Sequence, residues 1–349
     1  LFAPFVAATQ VQSESGEEPV MPVQFARREF LAGMVAMSVT TTAAKAASRI
    51  SPLSRCNPIE SKSPFRVSVI NDEISQDFGH ACEVASREFG MQWIELRGMW
   101  KKNIISLDEK EVAEARRILE KFQLKVTDIA SPLFKVDWPG APKSKFSEAK
   151  SFGADFTLAQ QDEVLERAMD LAKAFQTDRV RCFDFWRLED QAPYRAAISD
   201  KLRDAAAKAA KKGIILVLEN EMACNTATAA ESAKVLAAVQ SPALMLNWDP
   251  GNAAAAGEIP FPDGYNLLPK DRIGHCHCKD AIKKNKGYEW APMGGGFIDW
   301  AGQFKALKRD GYRFAVSLET HWNGGGTPEE CSRKSWAGMK TLLQQADAL

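Results

Sequence analysis

From residue 65 to the C-terminus, short apolar runs alternate with amphipathic stretches at a nearly regular interval. Residues 66–71, 92–97, 125–130, 178–184, 213–219, 243–249, 274–280 and 313–319 have the length and the branched or aromatic content of strands. The stretches 78–89, 108–122, 160–175, 194–212, 227–239, 300–309 and 328–346 carry apolar residues at helical spacing. Residues 213–219 are apolar almost throughout, the pattern of a strand covered on both faces. Eight strands alternating with seven such helical stretches in about 285 residues predict a (β/α)8 TIM barrel, which typically takes about 250. An open doubly wound sheet is the alternative, and it usually carries a glycine-rich phosphate loop after its first strand. Here Ile70-Asn71-Asp72-Glu73-Ile74-Ser75 stands in that place, without a glycine. The triplets Gly294–Gly296 and Gly324–Gly326 fall after strands seven and eight, as flexible closing loops or as a phosphate cradle.

The first 64 residues break this rhythm. Arg27-Arg28 precedes a short apolar run rich in Ser and Thr, and small residues follow at 44–48. That order is similar to a twin-arginine export signal and predicts residues 1–50 as signal and leader, 51–64 as a Pro- and Ser-bearing linker, and 65–349 as one catalytic domain. The export machinery is then a partner and the periplasm, or another exported location, the destination. A disordered basic N-terminus is the other reading, and Met21 is a candidate start. The apolar run is too short to span a membrane. Lys+Arg and Asp+Glu balance at 45 each, and no basic run stands out, which argues against nucleic acid as a partner.

The chemistry gathers at strand ends. In such a barrel, functional residues sit at the C-terminal ends of the strands. Glu95, Asp184, Glu219, Asp249, His277 and Glu319 occupy those positions, and the last four close strands five to eight in succession at gaps of 30, 28 and 42 residues. Three carboxylates packed together repel one another unless a cation joins them, so a divalent metal is implied. One imidazole with three carboxylates suits Mn2+ best, with Co2+, Mg2+ or Zn2+ also compatible. The chain has four histidines, and strand alternation puts His275, His277 and Lys279 on one face and Cys276 and Cys278 on the other. His277 is then the ligand, His275 a packed residue one layer deeper, and a Cys/His zinc cluster the lesser alternative. His80, in the first helix, is read as structural.

Leu218-Glu219-Asn220, Asn247-Trp248-Asp249-Pro250-Gly251-Asn252, His277-Cys278-Lys279-Asp280 and Ser317-Leu318-Glu319 resemble the motifs of the xylose-isomerase-like TIM-barrel superfamily over residues 66–345. The resemblance implies that Glu219, Asp249, His277 and Glu319 bind the metal. As in its 3-epimerases, Glu219 and Glu319 would also act as the acid/base pair. Asn252 stands where those enzymes place a substrate-binding histidine, and Lys283 where they place an arginine. Glu95 and Arg97 are similar to the superfamily's second-strand motif, which makes Glu95 a substrate contact or the partner of a buried salt bridge with Arg97. Lys279 would hold a substrate oxygen with Asp280 orienting it, ion pairing being the alternative. Glu221 either faces the pocket or lies on the loop surface, and His321 is within reach of substrate. Trp100, Trp138, Trp186, Trp290 and Trp322 fall in or near rim loops, where they stack on sugars or wall off the pocket.

The implied function is a metal-dependent sugar isomerase or epimerase that abstracts a proton next to a carbonyl through an enediolate. Alternatives are a lyase that cleaves 3-oxo-glycosides by β-elimination and a non-catalytic exported sugar-binding barrel. A nuclease of the endonuclease IV type needs several histidine ligands, and this chain supplies too few at suitable places.

Overall fold

The computed structural model describes residues 63–147, 156–285 and 287–349. The expected signal, and all but the last residues of the linker, lie outside the described residues. Eight parallel strands form one sheet: β1 (Arg66–Val69), β2 (Trp93–Leu96), β3 (Lys125–Leu133), β4 (Arg179–Cys182), β5 (Ile215–Glu219), β6 (Leu244–Trp248), β7 (Ile273–Cys278) and β8 (Ala315–Leu318). Their order, β1-β8-β7-β6-β5-β4-β3-β2, follows the chain around a ring. A single parallel bridge between Ile70 and Glu95 links β1 to β2, so the barrel is nearly closed.

The helices α1 (Phe78–Glu83), α2 (Glu109–Phe122), α3 (Gln161–Ala174), α4 (Arg195–Lys211), α5 (Ala229–Ala238), α6 (Pro250–Ala255), α7 (Trp300–Arg309) and α8 (Pro328–Gln345) follow strands one to eight in turn. Three start where local chemistry requires. Asp108 with Glu111, Thr228 with Glu231 and Thr327 with Glu330 form reciprocal capping boxes that satisfy backbone N–H groups left free in a first turn. Outward-facing strand residues pack beneath the helices in one hydrophobic core, which includes Leu216, Leu218, Leu246, Trp248, Cys276 and Cys278.

Two elements depart from the sequence pattern. The short helix α6 directly follows Asp249, whose Oδ1 accepts the Asn252 N–H at 2.8 Å and caps it. After β7, where the sequence pattern names no strand, Asp280–Lys283 pairs antiparallel with Tyr288–Ala291 in a hairpin. Alternation in the second arm covers only four residues, too few to separate a strand from a polar loop by pattern.

Candidate metal centre

Alternation along β5 to β8 carries one set of side chains to the barrel axis. Register then aligns them, since Glu219 pairs with Asn247, Asn247 with His275 and His277 with Ser317 across neighbouring strands. At the strand ends Glu219, Asp249, His277 and Glu319 converge, with candidate ligand atoms all within 4.8 Å of one another. All four are buried. His277 Nδ1 faces the group: Glu219 Oε1 at 3.5 Å, Asp249 Oδ2 at 3.7 Å and Glu319 Oε2 at 3.4 Å.

Each glutamate divides its oxygens between two tasks. One oxygen faces His277, and the other meets an arginine: Glu219 Oε2 with Arg181 Nη1 at 3.1 Å, Glu319 Oε1 with Arg97 Nη1 at 3.0 Å. Burial alone would raise the Glu219 carboxyl. The charges of His277 and Arg181 overcome it and hold that group at about 2. Burial likewise opposes ionisation of Glu319, and Lys279, His321 and His277 together bring it well below the usual carboxylate range. Both glutamates are therefore anionic at any physiological pH.

The Lys279 ammonium lies between Asp249 Oδ2 at 2.8 Å and Glu319 Oε2 at 2.6 Å. Burial disfavours its charge, but the Asp249 and Glu319 carboxylates outweigh that and push its pKa upward. Asp249 Oδ2 is buried without a hydrogen bond of proper geometry, so the lysine compensates it by charge alone. A buried carboxylate oxygen aimed into an N/O donor set, with no hydrogen bond of its own, fits a divalent cation.

The remaining residues expected at the site divide. Asn252 Nδ2 donates to Glu219 Oε1 at 3.1 Å and thus positions a candidate ligand. His321 is partly exposed at the mouth, with Nε2 3.3 Å from Glu319 Oε1 and its ring 5.5 Å from Trp290. Its backbone φ of 46° is left-handed, an uncommon conformation for a non-glycine residue. Glu221, half-buried, lies 3.5 Å from Lys135. Trp290 on the hairpin has its ring 5.1 Å from the Lys279 ammonium and so roofs the cluster.

Three expectations need correction. Glu95 is fully buried and contacts neither solvent nor Arg97; its oxygens meet His277 Nε2 at 3.0 Å and His275 Nε2 at 3.1 Å. The rim position on that face of β2 belongs to Arg97, and Glu95 lies one layer below it. Asp280 does not orient Lys279. Its carboxylate accepts N–H groups from Ala281, Gly294, Gly296 and Ile298 and so ties the glycine loop to the hairpin. Lys283 is exposed on the hairpin, with its ammonium 4.5 Å from the Phe297 ring, and is not brought to the cluster. Asp184, also at a strand end, is held by Arg195 at 2.7 Å and the Thr226 hydroxyl at 2.6 Å. Residue 184 shares the parity of Cys182, which packs outward, and not that of Arg181.

Arg181 and the acidic partners of Arg97 were not anticipated. Arg97 Nε meets Asp72 at 2.9 Å and its Nη2 meets Glu73 at 2.7 Å. A signal existed for Arg181: two arginines on one face of an otherwise apolar strand call for acids on the neighbouring strands.

A nearly closed (β/α)8 barrel with a buried three-carboxylate, one-imidazole cluster at its C-terminal rim defines the class. The chain belongs to the xylose isomerase-like TIM barrel family, whose model matches residues 84–342. No curated protein matches the sequence. Among solved structures, the probable 3-DHS dehydratase AsbF from Bacillus anthracis is 19% identical with a TM-score of 0.60, over 79% of this chain and 98% of that one. A D-allulose 3-epimerase from Methylomonas sp. is 18% identical with a TM-score of 0.58, over 81% and 98%. A xylose isomerase-like TIM barrel protein from Mycobacterium smegmatis, in complex with magnesium, is 16% identical with a TM-score of 0.58, over 82% and 98%.

Proposed function

We propose that this protein is a divalent-metal-dependent enzyme that removes a proton next to a carbonyl of a sugar or sugar derivative, with an isomerase or epimerase outcome. The observation that carries the reading is the convergence of Glu219, Asp249, His277 and Glu319, with Asp249 Oδ2 buried among them and compensated only by the charge of Lys279. These four residues would hold the metal, with Mn2+ the expected ion and the magnesium complex of the Mycobacterium smegmatis protein a precedent for a divalent cation in this fold. When bound, such a cation supplies Lewis-acid stabilisation of negative charge developing on the substrate's oxygens.

The chain's own groups supply the rest. Glu219 and Glu319 are the acid/base pair: each approaches the centre from a different strand, both start as bases, and the one that takes the substrate's proton becomes the acid that returns it. Arg181 and Arg97 fix the carboxylates in place, which limits each to a small range of angles. Lys279, already charged beside the ligands, donates to a substrate oxygen as charge builds on it. Trp290 and the hairpin that bears it exclude water.

A second reading is β-elimination, in line with the lyase alternative and with the dehydratase named among the relatives. It is favoured by the asymmetry of the pair. Beside Glu319 stands the partly exposed His321, whereas Glu219 is enclosed by Arg181 and Asn252. Elimination needs a base on one side and a donor for the leaving group at the open side.

If the protein is supplied with Mn2+ in D2O and offered a panel of ketoses and 3-oxo-glycosides, NMR should show deuterium at the carbon next to the carbonyl. Retention of the skeleton identifies isomerisation or epimerisation, and loss of a substituent identifies elimination. Glu219→Gln, Asp249→Asn, His277→Ala and Glu319→Gln should each lower bound metal or abolish exchange. Wild-type metal content and exchange in all four variants would overturn the assignment. Export through the twin-arginine route is part of the proposal, and Arg27→Lys/Arg28→Lys protein reaching the periplasm normally would exclude it.

A further inference from the structure

Beneath the candidate ligands lies a buried polar layer that the proposed chemistry does not use. Its centre is Glu95 on β2, fully enclosed in the barrel. Glu95 Oε1 is 3.0 Å from His277 Nε2, and Oε2 is 3.1 Å from His275 Nε2. The other nitrogen of His275 lies 3.7 Å from Asp128 Oδ1 on β3. The two imidazole rings stand nearly perpendicular, at 88°, so one carboxylate receives an N–H from each without the rings colliding.

We propose that Glu95 is the positioning residue of the metal centre, fixing by its geometry which nitrogen of His277 is presented to the ligand cluster. This rests on the metal reading above and adds a determinant to it. The two nitrogens of an imidazole point in different directions, and a ligand nitrogen must be free of hydrogen. An ionised carboxylate only accepts hydrogen bonds, so Glu95 requires hydrogen on the Nε2 that faces it, and Asn247, whose Nδ2 stands 3.2 Å from the same nitrogen, then turns its otherwise unpartnered amide oxygen toward it. Nδ1 is then the nitrogen that gives up its hydrogen when a cation binds, and it is the one 3.4–3.7 Å from Glu219, Asp249 and Glu319. His275 takes the second oxygen of Glu95, so the carboxylate cannot rotate away. Metal-bound histidines commonly donate their other N–H to such a partner, and its removal typically costs 10–100-fold in affinity.

The chemistry asks for a carboxylate at position 95 and not merely a polar group of that size. Two N–H donors converge on it, and a carboxylate has two acceptor oxygens. Glutamine has one, and its amide would face one histidine with hydrogens. Either His275 loses its acceptor or His277 is turned toward the wrong tautomer.

The test compares wild-type, Glu95→Gln and Glu95→Asp proteins, each stripped of metal and titrated with Co2+ against a chelator. Glu95→Gln should bind 10–100-fold more weakly and shift the visible absorption bands of bound Co2+, because the ligand set is distorted. A role confined to packing would lower the unfolding midpoint of the metal-free protein and leave that absorption envelope unchanged, which would overturn the proposal. A second measurement needs no variant. Zinc-loaded wild-type protein carrying 15N-labelled histidine has only four imidazoles to assign. Its long-range 1H–15N spectrum should show His277 with hydrogen on Nε2 and metal on Nδ1; metal on Nε2 would refute the assignment. If wild-type protein takes up neither Co2+ nor Zn2+, the metal reading itself fails, an outcome distinct from normal uptake that is insensitive to position 95.

Discussion

At the scale of single residues, the most informative neighbour of the cluster is one without a side chain. Gly251 lies in the first turn of α6, and a Cβ there would collide with Lys279 Cγ and approach Asp249 Oδ1 to 3.2 Å. Helix propensity alone would make Gly251→Ala stabilising by about 1 kcal/mol. Lys279 is enclosed and held at its tip by Asp249 and Glu319, so it has no room to yield. Overpacking of this kind costs about 1–3 kcal/mol and should win. Gly251→Ala is expected to unfold at lower urea than wild type and to lose at least tenfold in solvent deuterium exchange; a stabilised variant with full exchange would refute the steric argument. The same scale shows what was legible. Residues 219, 249, 277 and 319 are readable because each ends a strand on its axis-facing parity. Glu95 shares that axis-facing parity but lies one layer too deep, because Arg97, two residues on along the same face, holds the rim. Nothing in the chain announces that one carboxylate would take hydrogen bonds from two histidines across the barrel.

At the scale of elements, the hairpin after β7 is the part of the site least visible in sequence. It stands on the Asp280 carboxylate, which accepts backbone N–H groups at 2.9 Å from Ala281, 3.1 Å from Gly294 and 2.9 Å from Gly296. Gly296 is required for this approach, since a Cβ would collide with both Asp280 Oδ1 and the Ala281 carbonyl. Asp280→Ala leaves these donors without an acceptor, at about 1–3 kcal/mol for each that water cannot reach. The barrel strands do not depend on the loop, so the loss should be local. Amide hydrogen exchange should quicken over residues 288–298 and stay unchanged in β5 and β6, whereas uniform acceleration would mean that Asp280 supports the whole fold. Because Trp290 rides on this hairpin above Lys279, the variant should also lose water exclusion at the cluster.

At the scale of the whole molecule, the repeat of eight strands and seven of the eight helices is legible because these elements declare themselves locally, by apolar runs and by capping residues such as Asp108 and Thr327, whereas the short α6 does not. The barrel interior is not legible, because charges that neutralise one another across a ring come from distant stretches of chain. That interior gives the fold a pH signature. Burial, and then the charge of Glu95, push the Asp128 carboxyl up to about 6 from an ordinary value of 3.8, although His275 and His277 pull the other way. A carboxyl whose pKa is raised by folding holds its proton more tightly in the folded state. Its contribution to stability is fully present below about pH 3.8 and is lost as pH rises to about 6, because the unfolded chain releases its proton first. Asp128→Asn removes this titration. In metal-free protein, the stability of the variant relative to wild type should rise between pH 4 and pH 6.5, by about 2–3 kcal/mol for a shift of about two pKa units, and level off above. Taking the difference between the two proteins cancels groups titrating alike in both, including Glu219 with its depressed pKa. Urea denaturation across that range measures it, and a flat difference would mean that Asp128 is ionised in the folded barrel throughout.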